Sequence, residues 1–419
     1  MDFLLSEDQK QLQEMVADFC DREVAPGAEE RDRTGTFPTA LFGQLAGLGI
    51  PAIPHEPKYG GLGLGTFDMV IALEQIARVD QSLAVTTMVN AASGLTFARF
   101  ASDHLKDEWL PDVVSGRRIC SLAGTEPQAG SDTAASTTRA RPTADQGWII
   151  QGEKAFITNP GTDISSFTMV MAVTSPPDAE RKSFSLFHVP TGTAGYRIGP
   201  SYRKMGWRSS DTHPLSFDDC RVGAEAVIGE IGKGRLITHR GFQQARVFLG
   251  ATSLGLAQGS LDHALAYAKA RPAFGATLGR LQLIQEMIAQ MAVKIEAARM
   301  LVYRAAWLSD HGHATLKDLA IAKYYATEIG TECANLAVQV HGGWGFMDDC
   351  PPSRYLRDNR ICTIGDGSSQ IQMLLIAREL GLDVAFGSSS HDLTAIPSRA
   401  DASHPRAIAR PLQPKETTT

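Results

Sequence analysis

Near its C-terminal end the chain reads Cys362-Thr363-Ile364-Gly365-Asp366-Gly367-Ser368-Ser369-Gln370-Ile371-Gln372. One ionisable side chain, Asp366, stands among glycines and small hydroxyl residues. Such neighbours let a substrate or another backbone come close and offer N–H donors, which suits a carboxylate that takes a proton from a bound molecule. An Asp-Gly pair is also an ordinary turn signal, so the string alone leaves both readings open. Four further stretches hold polar and aromatic groups at short spacing. They are Ala123-Gly124-Thr125-Glu126-Pro127-Gln128-Ala129-Gly130-Ser131-Asp132, Phe156-Ile157-Thr158-Asn159, Arg271-Pro272-Ala273-Phe274-Gly275 with Gln282 downstream, and Gln339-Val340-His341-Gly342-Gly343-Trp344-Gly345 with Arg357-Asp358 beyond it. Taken singly, each has a plain reading. Ser131 is a turn hydroxyl, Phe156 a core aromatic, Arg271 a helix-end charge, Gln339 an ordinary polar position, Gly342-Gly343 a helix stop, and Ser368 with Gln370 an N-cap and first turn.

The elements that must carry these groups fall into blocks. Residues 1–118 read as helices with apolar positions three or four apart, such as Phe3, Leu12, Val16 and Phe19. Ser6 with Asp8 and Gln9 marks a helix start. The glycines of Tyr59-Gly60-Gly61-Leu62-Gly63-Leu64-Gly65 follow no strand and open no dinucleotide fingerprint, so a tight loop is expected. Residues 119–228 hold short β-prone runs around Trp148, Val170 and Leu186, parted by Gly, Pro, Asp and Ser; an antiparallel β-barrel or sandwich is expected. Residues 229–386 return to long helices and predict a four-helix bundle, with Gly250, Gly255 and Gly259 small enough for close backbone packing. Residues 387–419 are polar and Pro-rich without an apolar period, and disorder is expected there. The fold class is thus α+β multidomain: a helical N-terminal domain, a middle barrel and a C-terminal bundle.

A chain of 419 residues exceeds one ordinary core, and 43% apolar with 21% charged residues is the composition of a globular protein. A net charge of −6 argues against nucleic acid or an anionic membrane as the main partner. No apolar run approaches the ~18 residues of a membrane span, and the start lacks a basic region followed by an apolar one; a cytoplasmic protein is expected. The 6 cysteines have no paired spacing, so neither disulfides nor a metal site is expected. His188 and His341 read as structural, and His311-Gly312-His313 as a polar helix end.

In order and spacing the separated segments resemble the acyl-CoA dehydrogenase family of flavoproteins over residues 1 to about 385, from Asp2-Phe3 and Ser6-Glu7 through Gly206-Trp207-Arg208 and Asp218-Asp219 to Asp366. The resemblance implies FAD, an acyl-CoA substrate and α,β-dehydrogenation. Thr125, Phe156 and Thr158 match flavin positions, Phe156 standing where many relatives carry Trp. Ser131 matches a position near both flavin and acyl-CoA. Arg271 matches the pyrophosphate arginine with Phe274 packed nearby; Gln282, Gln339, Gly342 and Gly343 match the AMP half; Ser368 and Gln370 match further flavin contacts. In relatives the pyrophosphate and AMP contacts come from a neighbouring subunit, so a homotetramer, or at least a homodimer, is implied.

Most relatives read Tyr-Glu-Gly-Thr where this chain has Gly365-Asp366-Gly367-Ser368, the Glu being the base. Asp366 is therefore the implied base, shortened by one methylene. A second location for the base precedes the arginine matching Arg246; here it is Ala245, which takes no proton. Arg246 and Gly367 match substrate-side positions, while Gln243 replaces a family Asp. The implied mechanism has Asp366 remove the α-proton, its backbone N–H bind the thioester carbonyl, and the β-hydride pass to flavin N5. Electrons then go to an acceptor such as electron-transferring flavoprotein. Loss of bulk at Gly365 and Asp366 suggests a branched, cyclic or otherwise wide acyl group. Three alternatives stay open: a dehydrogenase of an acyl group on a carrier protein, an oxygen-using flavin oxidase, and a non-catalytic flavoprotein.

Overall fold

The computed structural model describes residues 4–383, so Asp2-Phe3 and the tail at 387–419 lie outside the described residues. The chain opens with helices α1 (Glu7–Phe19), α2 (Ala28–Thr34), α3 (Thr39–Gly47), α4 (Thr66–Val79), α5 (Gln81–Phe100) and α6 (Asp103–Val114). Helix α1 starts where its capping signal stands. The Ser6 hydroxyl accepts from the Gln9 N–H at 3.2 Å and Gln9 Oε1 accepts from the Ser6 N–H at 3.1 Å. The glycine stretch before α4 is a tight loop: a Cβ on Gly61 would stand 2.0 Å from the His55 carbonyl oxygen.

Strands follow: β1 (Ile119–Ala123), β2 (Arg139–Pro142), β3 (Trp148–Thr158), β4 (Ser165–Val173), β5 (Phe184–Pro190), β6 (Tyr196–Ile198), β7 (Thr212–Val222) and β8 (Val227–Ile228). Their order is β6-β7-β3-β2-β4-β5-β8, with β1 beside β4. The sheet differs in detail from an antiparallel barrel. Strands β1 and β2 both run parallel to β4, and the path from β6 to β8 is open. The parallel pairs arise because neither is joined by a hairpin: β2 and β3 lie between β1 and β4 in the chain, and β3 lies between β2 and β4. The sheet still wraps one core, since Ala123, Ile150, Val170, Phe187, Leu215 and Phe217 form a single buried cluster. Its other face is buried too. Phe167, Met169, Met171 and Leu186 pack on Phe97, Leu110 and Val113 of α5 and α6. His188 lies in that layer among Phe97, Trp109 and Phe167, and burial holds its pKa down at about 4, as a structural histidine.

The C-terminal helices are α7 (Gly234–Ala270), α8 (Gln282–Asp310), α9 (Leu316–His341), α10 (Pro351–Asn359) and α11 (Ser369–Glu379), with a hairpin of β9 (Pro272–Ala273) and β10 (Ala276–Thr277) after α7. Close packing of α7 on α4 requires its glycines: a Cβ on Gly255 or Gly259 would stand 2.0 or 2.1 Å from the carbonyl oxygens of Glu74 and Arg78. Gly250 faces Val302 of α8 instead. One buried cluster runs from Val16 and Leu73 through Phe248 and Leu254 to Ile295 and Cys333, so the first and last helical blocks share a core. Asp310 at the end of α8 seals that union by accepting from the Thr66 and Phe67 N–H groups at the start of α4, 2.6 and 2.9 Å away. Among the described residues no helix is long and apolar enough to cross a membrane, and no group of His, Cys, Asp and Glu could hold a metal ion.

Candidate active site

Asp366 sits on a turn between the short 3-10 helix Arg360–Thr363 and α11. Its φ is +51° and that of Gly367 is +87°. Left-handed backbone costs an L-residue about 1–2 kcal/mol, least for Asp and Asn, and it collects at functional sites. The turn is anchored from both sides. The Gly367 carbonyl accepts from Lys323 Nζ at 2.9 Å and from Gln372 Nε2 at 2.8 Å. Ser368 caps α11 by accepting from the Ile371 N–H at 3.4 Å, and Ser369 donates to Glu328.

The Asp366 side chain is half-buried. Burial raises its pKa above the usual carboxylate range, while the charges of Lys323 and Arg246 pull the other way. Arg246 comes from the middle of α7 and is 9% exposed, with no hydrogen-bond partner for Nε. Burial lowers its pKa to about 10. Ala245, beside it, is buried in the core.

The β-sheet brings the second part of the site. Strand β3 is irregular in its pairing with β7 between Lys154 and Ile157, and there Phe156 takes φ +60°. The kink turns Phe156 outward, 64% exposed with Tyr202 at 5.2 Å, so it is not a core aromatic. Thr158 is half-buried two residues on. Thr125 joins them through its carbonyl, which accepts from the Ala155 N–H at 3.0 Å. The loop after Thr125 is held by buried Glu126, which accepts from Lys154 Nζ at 2.8 Å, the Thr137 N–H at 2.6 Å and the Thr138 N–H at 3.0 Å. Burial alone would raise the Glu126 pKa, but these donors hold it at about 2. Gly124 lies on Thr238 and Phe242 of α7, and Thr133 meets His239 Nε2 at 3.2 Å, so the loop carrying exposed Ser131 rests on the helix that supplies Arg246.

A second group gathers elsewhere. Arg271, Gly342 and Gly343 line a cavity of about 570 Å³ with Tyr267, His341 and Trp344. Tyr267 and His341 stack with ring centres 4.3 Å apart. Gln339 and Gln282 are exposed at the end of α9 and the start of α8. Phe274 does not pack on Arg271 within the chain: at the hairpin tip, with φ +50°, it is 92% exposed. A two-residue turn points its side chain outward. Gln370 is exposed in the first turn of α11. Arg246 and Arg271 belong to one helix, roughly 37 Å apart at 1.5 Å per residue, so the two groups are separate within one chain.

Sequence reading alone passed over Lys323 and Tyr267, and it gave Gln372 and Trp344 no role although both stand inside its motifs. The signal for Lys323 was present: it shares the apolar face of α9 with Leu319, Ala326, Gly330 and Cys333, where a lysine needs a partner. Its partner, the Gly367 carbonyl, is 44 residues away in sequence.

Family models for the N-terminal, middle and C-terminal domains of acyl-CoA dehydrogenase match residues 6–117, 121–220 and 232–381. The chain belongs to the acyl-CoA dehydrogenase family. It is 37% identical over 381 residues to a probable acyl-CoA dehydrogenase of Bacillus subtilis, covering 91% of this chain and 100% of that one. Among solved structures it is similar to butyryl-CoA dehydrogenase from Megasphaera elsdenii, with TM-score 0.87, 32% identity, and coverage of 91% and 100% of the two chains. It is also similar to a glutaryl-CoA dehydrogenase from Mycobacterium smegmatis in complex with FADH2, with TM-score 0.86, 26% identity, and coverage of 91% and 97%.

Proposed function

We propose that this protein is an FAD-dependent acyl-CoA dehydrogenase whose base is Asp366. The reading is carried by a half-buried carboxylate of raised pKa, on a left-handed turn, facing a buried guanidinium whose Nε has no partner. Asp366 takes the α-proton of the acyl thioester. A carboxylate at about 3.9 is a feeble base for such a C–H, and burial corrects this. The Asp366 backbone N–H donates to the thioester oxygen and stabilises the charge that develops there. Arg246, with an unpaired buried Nε, serves the substrate side.

The residues fit FAD. Phe156 presents an open aromatic face, with Thr158 two residues on and the Thr125 carbonyl bonded to the N–H of the adjacent Ala155. Arg271, the Gly342-Gly343 backbone and the Tyr267 and Trp344 rings offer what a diphosphate and an adenine need. When bound, FAD supplies the two-electron acceptor for the hydride that leaves the β-carbon, and the product is the trans-2-enoyl thioester. The relative from Mycobacterium smegmatis binds the reduced form of this cofactor.

Two copies at least make the working unit. Arg246 and the Arg271 that follows α7 stand roughly 37 Å apart along the helix, and this separation supports one cofactor meeting the Asp366 group of one copy and the Arg271 group of another. Val293, Met300 and Trp307, spaced seven residues apart, form an exposed stripe on α8, and exposed Phe274, Trp344 and Phe346 belong to the same helical block; these are surfaces for a second copy. The assembly proposed is the homotetramer.

The acyl group proposed is branched, cyclic or otherwise wide. A Cβ at Gly365 would meet only Ile361, at 3.5 Å or more, so the room a larger residue would fill is open. Electron-transferring flavoprotein is the proposed acceptor. All cysteines are free and most are buried, which suits a reducing, cytoplasmic setting.

Anaerobic bleaching of the flavin by a panel of straight, branched and ring-bearing acyl-CoAs tests this reading. Wide acyl groups are expected to bleach faster, and Asp366→Asn to slow bleaching about 10²–10⁴-fold. Bleaching of Asp366→Asn at the wild-type rate removes Asp366 as the base. A straight-chain preference rules out the wide pocket, peroxide formed without an added acceptor points to an oxidase, and preference for a pantetheinyl carrier protein moves the substrate to carrier-bound thioesters.

A further inference from the structure

Lys323 is fully buried in the middle of α9, an expensive place for a cation. It points at the turn that carries Asp366. Its Nζ donates to the Gly367 carbonyl at 2.9 Å, one residue past the carboxylate. The same oxygen accepts from Gln372 Nε2 at 2.8 Å. A carbonyl held twice fixes the Gly367–Ser368 peptide plane, which closes a turn of two consecutive left-handed residues, φ +51° and +87°. With the far end of the turn fixed, the backbone at Asp366 has less freedom, and so do the directions of its side chain and its own N–H.

We infer that Lys323 is a positioning residue for the reaction: it locks the Asp366-Gly367 turn and sets the charge under the base. The inference rests on the reading of Asp366 as the base. Lys323 reaches the substrate only through Asp366 and touches no reacting atom. Its charge opposes the effect of burial on Asp366, and burial in turn brings the ammonium down to about 8. The charged and titratable groups around the pair are Arg246 from α7, Cys362 before the turn and Glu328 on α9. Arg246 shares the task of balancing the carboxylate from the opposite helix, but it is Lys323 that donates from α9 to the Gly367 carbonyl, while Glu328 of α9 accepts from Ser369 farther along.

Replacing Lys323 is compatible with folding. Methionine fills a similar volume without a buried charge, and the Gly367 carbonyl keeps its bond from Gln372. Lys323→Gln retains a donor but no charge, which separates locking from charge. In the FAD-loaded enzyme, single-turnover bleaching by acyl-CoA is measured from acid to neutral pH for wild type, Lys323→Met, Lys323→Gln and Asp366→Asn. Lys323→Met is expected to slow bleaching roughly tenfold to a hundredfold at neutral pH through loss of orientation. Its acid limb is expected to move up by about one pH unit, because a neighbouring cation that lowered the carboxylate pKa is gone. Lys323→Gln is expected to show the same limb shift with a smaller loss of rate. A Lys323→Met enzyme with the wild-type rate and pH profile overturns the inference, as does a uniform loss of rate with an unmoved acid limb. Failure of both variants to fold or hold FAD overturns it in favour of a purely structural lysine. If Asp366→Asn is inactive while Lys323→Met is unaffected, only this inference falls; if Asp366→Asn bleaches like wild type, the reading of the base falls with it.

Discussion

As the proposed base, the single residue Asp366 sets function against stability. In the folded chain its pKa lies above the ordinary carboxylate value. The unfolded chain ionises first as pH rises, so the folded state binds the extra proton and loses stability from about pH 4 upward until the raised pKa is passed. Asp366→Asn removes this titration. Its stability relative to wild type is expected to grow as pH rises from about 4 and to level off once Asp366 is ionised in the fold. Urea unfolding at a series of pH values checks it. A stability difference that stays flat across that range means that the carboxylate is not held in an unfavourable site. The residue type was legible in the chain, because a lone acid among Gly and Ser stands out. That it occupies left-handed backbone over a buried lysine was not, since Lys323 and Gly367 meet only when α9 and the turn are brought together.

At the scale of elements, the residues proposed to face the flavin depend on how β3 and the loop between β1 and β2 are held. Glu126 gathers Lys154 and the Thr137 and Thr138 N–H groups, and its pKa is held at about 2. A depressed carboxylate stabilises the fold above its unfolded value near 4.3, and that contribution is lost as pH falls towards 2. Glu126→Gln leaves Lys154 buried without its counter-charge, and such a break costs about 3–5 kcal/mol. The variant is expected to unfold at lower temperature and to release FAD, and Glu126→Gln/Lys154→Met to recover much of the loss. Differential scanning calorimetry with a flavin-release assay reads both. Equal melting of wild type and Glu126→Gln would show that the loop does not rely on the pair. The strands themselves were readable from their β-prone runs. The bulge that turns Phe156 out was not: the same aromatic in a regular strand would alternate back toward a face of the sheet.

At the scale of the molecule, the helical blocks before and after the sheet share one core, sealed by α4 on α7 and by Asp310 at the head of α4. The apolar positions that remain outside include Val293, Met300 and Trp307 on α8. If they meet a second copy, Val293→Glu/Met300→Glu places like charges across the contact. The expected result is a smaller species in sedimentation with little retained FAD, while the folded far-UV signal persists. An assembly of unchanged size separates this stripe from the interface.

The chain by itself determined the helix–sheet–helix order, because periodicity and turn residues act over short distances. The capping of α1, the tight loop before α4 and the small residues of α7 follow from the same local physics. It also supplied the residue types of the site. Only the tertiary structure decided which of them meet. It set Arg246 and Lys323 around Asp366, put Arg271 on a distant part of the same helix, laid β1 and β2 parallel to β4, and left Phe156 and Phe274 in the open. Those outcomes depend on contacts between residues far apart in the chain, where burial and charge are fixed by packing and not by neighbours in sequence.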